Sequence, residues 1–302
     1  MTCSARDFHK LPWTPWVLPR KMVKGGPGPE GVPRQPGIYR IRVEGQPLMA
    51  YFGESDDLGR RLVDNWQDIN MGGGKNQNVR PSYLVEVGKH IQGRYLISWT
   101  TGVGPWPYDL SDERERKCLE RCLEWLCRRE TGRSAFGNHA RAGEGNQLIS
   151  DTTSEGHPEG IQSPGPFHPS TRALRSNGRD PGHKRWMDRL WSEPASYEEL
   201  RQGRTGSPEG FIATKMSLGP ALYKVLDAPT GELLYVGFRK HARQDVRTRL
   251  NQLPGDPVGA WSPLRRKAMK LEAWEMVDDL LGAHYFETGQ IPKCQFRIVF
   301  DS

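Results

Sequence analysis

Two tyrosines twelve positions apart occur twice in this chain, as Tyr39 and Tyr51 and again as Tyr223 and Tyr235. The first pair sits in Gly37-Ile38-Tyr39 and Tyr51-Phe52-Gly53, the second in Ala221-Leu222-Tyr223 and Tyr235-Val236-Gly237. A phenol can position a water and take its proton, but with an ordinary pKa of about 10 it is a weak base at neutral pH. A nearby cation lowers that value. Each pair is followed by an arginine-bearing stretch: Arg60 and Arg61 after the first, and Arg239, Lys240, Arg243 and Arg249 after the second. Paired phenols beside a guanidinium are suited to proton transfer next to a bound anion. Their repetition implies two units of one fold.

The elements that would carry these groups are short. Ile38, Tyr39, Ile41 and Val43 form one strand-like run and Leu48 to Phe52 the next, with Gly45 where a hairpin turn would fall. Leu58, Leu62 and Trp66 recur at helical spacing. Tyr83–Val87 and Arg94–Thr100 read as further strands. Ser111 or Asp112 is placed to cap a long helix that reaches about Arg129, with an apolar stripe at Leu119, Cys122, Leu123 and Leu126. Gly72-Gly73-Gly74 followed by Lys75 reads as a polar, basic loop.

Residues 1–35 are rich in Pro, Gly and Trp and are expected to wrap onto the first domain as an irregular arm. The first domain spans 36–142. Residues 143–183 are rich in Gly, Pro and Ser and poor in apolar side chains, and read as a linker or long mobile loop. The second domain spans 184–302 and opens on a short helix bearing Trp186, Leu190 and Trp191.

The formal charge of +7 favours an anionic partner such as nucleic acid. No apolar run reaches the roughly 20 residues of a membrane span. The five cysteines form no CxxC zinc pattern, and three of them share the long helix, where packing is their expected role. The expected setting is soluble and cytoplasmic.

Five blocks in order, Gly37-Ile38-Tyr39, Tyr51-Phe52-Gly53-Glu54-Ser55, Arg61, Leu119-Glu120-Arg121-Cys122-Leu123 and Thr131-Gly132-Arg133-Ser134 leading to Asn138, resemble the GIY-YIG nuclease family and its restriction-type members. The resemblance covers about residues 36–141. It implies an α/β fold of two GIY-YIG-like modules, each a small, mainly antiparallel sheet flanked by helices. It further implies metal-dependent hydrolysis of DNA phosphodiester bonds, of a restriction or defence kind, with Mg2+ or Mn2+ held by Glu120. Tyr39 would be the base with Tyr51 assisting, Arg61 would clamp the phosphate, and Asn138 would tie strand to helix. Glu113, Glu115 and Glu124 stay open as alternative ligands. Where the family commonly has histidine, four residues after the arginine, this chain has Asn65, which cannot take a proton at neutral pH. The tyrosine then works unaided, or the domain is slow or inactive. His90 and His139 are conceivable substitutes.

In the second copy, Arg249 is reached through a basic insertion, Gln295 falls opposite Asn138, and Val277 falls opposite Glu120, which removes the metal ligand. This copy reads as a degenerate, DNA-binding module. Lys75, Arg239, Lys240, Arg243, Arg249, Arg265 and Arg266 are the expected contacts to phosphate backbone. The expected partner is double-stranded DNA, bound by a homodimer or a pseudo-dimeric monomer. The rival reading is a catalytically inactive DNA-binding or assembly protein on a nuclease-derived fold.

Overall fold

The computed structural model describes residues 11–18, 31–43, 49–71, 95–102, 108–131, 135, 173–201, 221–239, 242–264 and 270–295. The chain divides into two compact units, one formed by Ser4–Arg172 and one containing Ala173–Ser302. Both are mixed α/β, and each is built on a small antiparallel sheet.

In the first unit, β1 (Gly37–Val43) lies between β2 (Met49–Ser55) and β3 (Tyr95–Thr100). Alternation along a strand sends successive side chains to opposite faces. Tyr39 and Ile41 enter the core with no exposed surface, while Arg40 and Arg42 point to the other face and stay half-buried. The register sets Tyr39 opposite Gly53 on one side and Trp99 on the other. Helix α1 (Leu58–Met71) starts at Asp57, whose carboxylate accepts from the Arg60 amide at 2.9 Å and so satisfies an otherwise unpaired donor of the first turn. Leu58 and Leu62, one turn apart and both fully buried, seat α1 in the Tyr39 cluster. Each contributes roughly 1.5–3 kcal/mol through burial.

Helix α2 (Glu113–Thr131) is capped by Asp112, which accepts from the Arg114 amide at 2.8 Å. It packs against β2, the strand carrying Tyr51. The expected apolar stripe is buried, and so is a second stripe of opposite character: Arg116, Glu120, Glu124 and Arg128, at intervals of one turn. Buried charges need partners. Arg116 pairs with Glu54 at 3.0 Å and donates to the carbonyls of Leu110 and Ser111, both at 2.9 Å. Glu124 meets Arg121 at 3.2 Å.

The second unit repeats the plan. Its sheet runs in the order β4 (Ala195–Ser196), β7 (Pro257–Pro263), β5 (Ala221–Asp227), β6 (Leu233–Arg239). Tyr223 faces Gly237 and Trp261, as Tyr39 faces Gly53 and Trp99. The register shift between Ile41 and Arg42 recurs between Val225 and Leu226. Short α3 (Tyr197–Arg201) follows β4, and Val246 and Leu250 of α4 (Ala242–Gln252) take the buried places of Leu58 and Leu62. The last helix, α5 (Lys270–Thr288), has 19 residues like α2, so matching their first residues sets Val277, 2% exposed, level with Glu120.

Two boundaries differ from the sequence reading. The arm is not wholly irregular: Val17 bridges to Ile97, the Thr14 amide donates to the Trp99 carbonyl at 2.9 Å, and the Trp99 amide returns a bond to the Thr14 hydroxyl at 3.0 Å. The second unit does the same with Ser192 and Trp261, at 2.8 and 3.1 Å, before Ala195 pairs with Gly259. Likewise the end of the expected 143–183 linker belongs to the second unit, where Ala173 is buried and the Leu174 amide donates to the Asp279 carboxylate at 2.7 Å. Its composition is low in apolar residues, but a buried carboxylate fixes its backbone. The expected tryptophan helix is a single 3-10 turn, Trp186–Asp188, followed by extended chain. The expected strand Tyr83–Val87 lies outside the described residues.

Candidate active site

Among the described residues, Tyr39 is the centre of a polar cluster that joins several of the predicted site residues. Its ring crosses Gly53, where a methyl group would overlap the phenol, so glycine is what lets the ring lie flat against β2. Tyr51 stacks beside it with ring centroids 5.8 Å apart and planes 29° apart. The hydroxyl accepts from Asn65 Nδ2 at 2.7 Å and from Arg61 Nε at 3.3 Å. Both donors come from the α1 face that Leu58 and Leu62 anchor. Asn65 is buried, and its Oδ1 has no hydrogen-bond partner. Arg61 turns Nε to Tyr39 and also hydrogen-bonds the Tyr51 side chain, while the residue as a whole keeps an exposed part.

Arg61 together with a bound metal is expected to draw the Tyr39 phenol toward neutral pH, and Arg61 by itself does not. Instead the phenol stands well above its ordinary value: burial raises it most, the neighbouring Tyr51 adds to this, and Arg61 and Asn65 only partly offset them. Tyr39 is therefore a neutral phenol in this state. With two donors already at its oxygen, its own O–H remains to be donated. Arg61, beside both phenols, is held firmly charged, with Tyr39 the largest cause.

Glu120 lies on α2 with no exposed surface, one turn and so about 6 Å along the axis from Arg116. Among the described residues no three His, Cys, Asp or Glu side chains form a metal cage. Mg2+ is commonly held by one or two carboxylates together with substrate phosphates and waters. A single hard oxygen donor on the helix packed against the Tyr51 strand fits that mode. Glu124, 7% exposed and paired with Arg121, stays open as an alternative ligand.

The second unit preserves the tyrosines and differs in the residues that surround them. Tyr223 and Tyr235 stack at 5.7 Å and 25°. Arg249, in the place of Arg61, lays its guanidinium 4.6 Å from the Tyr235 ring centroid. In the place of Asn65 stands Leu253, packed on the apolar cluster. Gln295 accepts from the Val236 amide at 3.0 Å, tying the chain after α5 to β6 as Asn138 was expected to tie its own helix. Asn138, Lys75, His90, His139, Lys240, Arg265 and Arg266 lie outside the described residues, while Arg239 and Arg243 fall in β6 and α4.

Sequence reading missed one repeated feature. Trp13 and Trp191, each followed by a hydroxyl residue, place their indoles against the cation next to the first tyrosine of each pair, Arg40 and Lys224. The shared dipeptides Trp13-Thr14 and Trp191-Ser192 were the available signal. No helix among the described residues is long and apolar enough to cross a membrane. Comparison with protein-family models, with curated proteins and with solved structures finds no match.

Proposed function

We propose that the chain is a DNA endonuclease of GIY-YIG type, with two modules of that fold, of which the first cuts and the second supports DNA binding. The observation that carries this reading is the asymmetry between the copies. Tyr39, Arg61, Asn65 and Glu120 accompany one tyrosine pair, and Leu253 and Val277 replace the last two at the other. A fold kept twice, with the asparagine and the glutamate kept once, is what separate catalytic and supporting roles would leave.

In this mechanism Arg61 clamps a non-bridging phosphate oxygen through its guanidinium, and it does so without a change of protonation. Tyr39 donates its O–H to the attacking water or to a phosphate oxygen, fixed in direction by Asn65 and Gly53. Transfer of a proton to Tyr39 would require its ionised form, which substrate binding must first stabilise against burial. A divalent cation, Mg2+ or Mn2+, would be held by Glu120 and would supply charge neutralisation at the phosphate. Restriction or defence is the setting proposed for this activity.

Burial of a protonated Tyr39 favours the rival, a DNA-binding or assembly protein without catalysis. Incubation of supercoiled plasmid with Mg2+ or Mn2+ separates the two. Cleavage by wild type that Glu120→Ala and Tyr39→Phe abolish is the expected result. Equal cleavage by all three proteins removes the proposed site, and binding without cleavage establishes the rival.

A further inference from the structure

The face of the first sheet opposite Tyr39 carries two arginines and two tryptophans in mutual contact. The Arg40 guanidinium lies 4.2 Å from the Trp13 ring centroid and 4.6 Å from that of Trp16, and Arg42 lies 4.4 Å from Trp16. The arm is pinned there by the Thr14 and Val17 bonds to β3, and Ser98 joins the two parts by accepting from Arg40 Nε at 3.4 Å and donating to the Thr14 carbonyl at 2.8 Å. All four side chains are half-buried, and Val17 and Leu18 beside them are exposed.

Two neighbouring cations normally find a carboxylate. Among the described residues neither Arg40 nor Arg42 meets one, and Arg42 Nε is buried with no partner at all. Arg40 is held down at about 10, by burial first and by Arg42 second, so the pair carries a standing cost that an anion would relieve.

The second unit shows what this position looks like when its charge is used internally. Lys224, at the place of Arg40, is 1% exposed, lies 4.7 and 5.5 Å from the Trp191 and Trp186 centroids, and donates to the carbonyls of Pro181 and His183. There the cation is closed off and its donors are satisfied by backbone. In the first unit, among the described residues, Arg40 gives one donor to Ser98 and Arg42 Nε has no hydrogen-bond partner.

We infer that the Trp13, Arg40, Trp16 and Arg42 array is a second nucleic-acid contact, which grips the phosphate backbone on the face away from Tyr39. Stacking on indole leaves the guanidinium N–H groups free for phosphate oxygens. The array holds a stretch of strand other than the one at Tyr39, and so contributes affinity without chemistry. This rests on the proposed function only in taking nucleic acid as the partner.

The test is anisotropy of a fluorescein-labelled duplex against the full chain over a series of salt concentrations. Arg40→Gln with Arg42→Gln is expected to weaken binding roughly tenfold and to lower the slope of log affinity against log salt by about 1.8, two phosphate contacts' worth. Plasmid cleavage at saturating DNA should keep its rate. Arg40→Lys with Arg42→Lys should keep the wild-type slope. If the glutamine pair loses the near-UV tryptophan signature, Arg42→Gln alone decides, with an expected change of about 0.9. An unchanged slope in a folded variant overturns the inference, as does tighter binding of vesicles of anionic lipid than of DNA. Failure of the nuclease reading would look different: DNA retained with a slope that responds to Arg40 and Arg42, and no cleavage.

Discussion

The Asn65 amide donates to the Tyr39 hydroxyl at 2.7 Å, while at the matching place of the other unit, one residue past α4, Leu253 packs against an apolar cluster. The asparagine is thus the orienting group for the phenol, and its loss leaves a fully buried hydroxyl short of one partner. Asn65→Leu is expected to cost about 1–3 kcal/mol in urea unfolding. Plasmid cleavage should fall at least tenfold in protein that is still folded, since the phenol loses its direction while Arg61 remains. Unchanged cleavage would show that Asn65 serves stability alone.

Gly53 and Gly237 make the same close approach to Tyr39 and Tyr223. A Cβ at residue 237 would lie 2.7 Å from the Tyr223 ring carbon that bears the hydroxyl. Alanine at either position forces the ring or the strand to move, at an expected cost of about 1–3 kcal/mol. Replacing the facing tyrosine by leucine should recover part of that loss, and a double-mutant cycle in urea measures the coupling. Additive costs would mean that the rings are not what excludes a side chain there.

Much of this fold was legible because its signals are periodic. Leu58 and Leu62 at helical spacing, and Ile38 to Val43 in strand-like runs, correspond to α1 and β1, and the tyrosine spacing pointed to the shared sheet register. What escaped were features made by contacts distant in sequence. No local pattern announces that Thr14 will bond Trp99, that Asp279 will hold the Leu174 amide, or that Arg116, Glu120, Glu124 and Arg128 form a buried stripe. The weight of burial at Tyr39 escaped for the same reason. The guanidinium beside Tyr39 could be expected from the helix, but the desolvation that outweighs it belongs to the assembled core.

His284 on α5 is 4% exposed, its ring edge-on to Trp186 at 6.2 Å. Burial lowers its pKa from 6.5 to about 4, with Glu232 acting weakly in the other direction. The folded state then binds fewer protons than the unfolded chain between those values. Its contribution is fully present above pH 6.5 and is lost as pH falls toward 4. Unfolding of the second unit should therefore lose on the order of 2–3 kcal/mol across that window. His284→Phe should flatten this limb; an unchanged acid limb would assign it to carboxylates instead.

The metal proposal turns on the contrast between Glu120 and Val277, both buried and level on helices of equal length. Removal of divalent cations with a chelator should abolish plasmid cleavage, and Mg2+ or Mn2+ should restore it. Glu120→Gln keeps the shape and removes the charge, so it should lose at least a hundredfold in rate without regaining activity at high metal concentration. The same variant must be checked by urea unfolding, because Glu120 shares its stripe with Arg116 and Arg128, and an unpaired buried arginine costs several kcal/mol. The two roles separate by titration of Mn2+ into the folded protein. A ligand role predicts that wild type and Val277→Ala bind equally and Glu120→Gln does not. A purely structural role predicts the same weak binding in all three, with stability alone affected at Glu120.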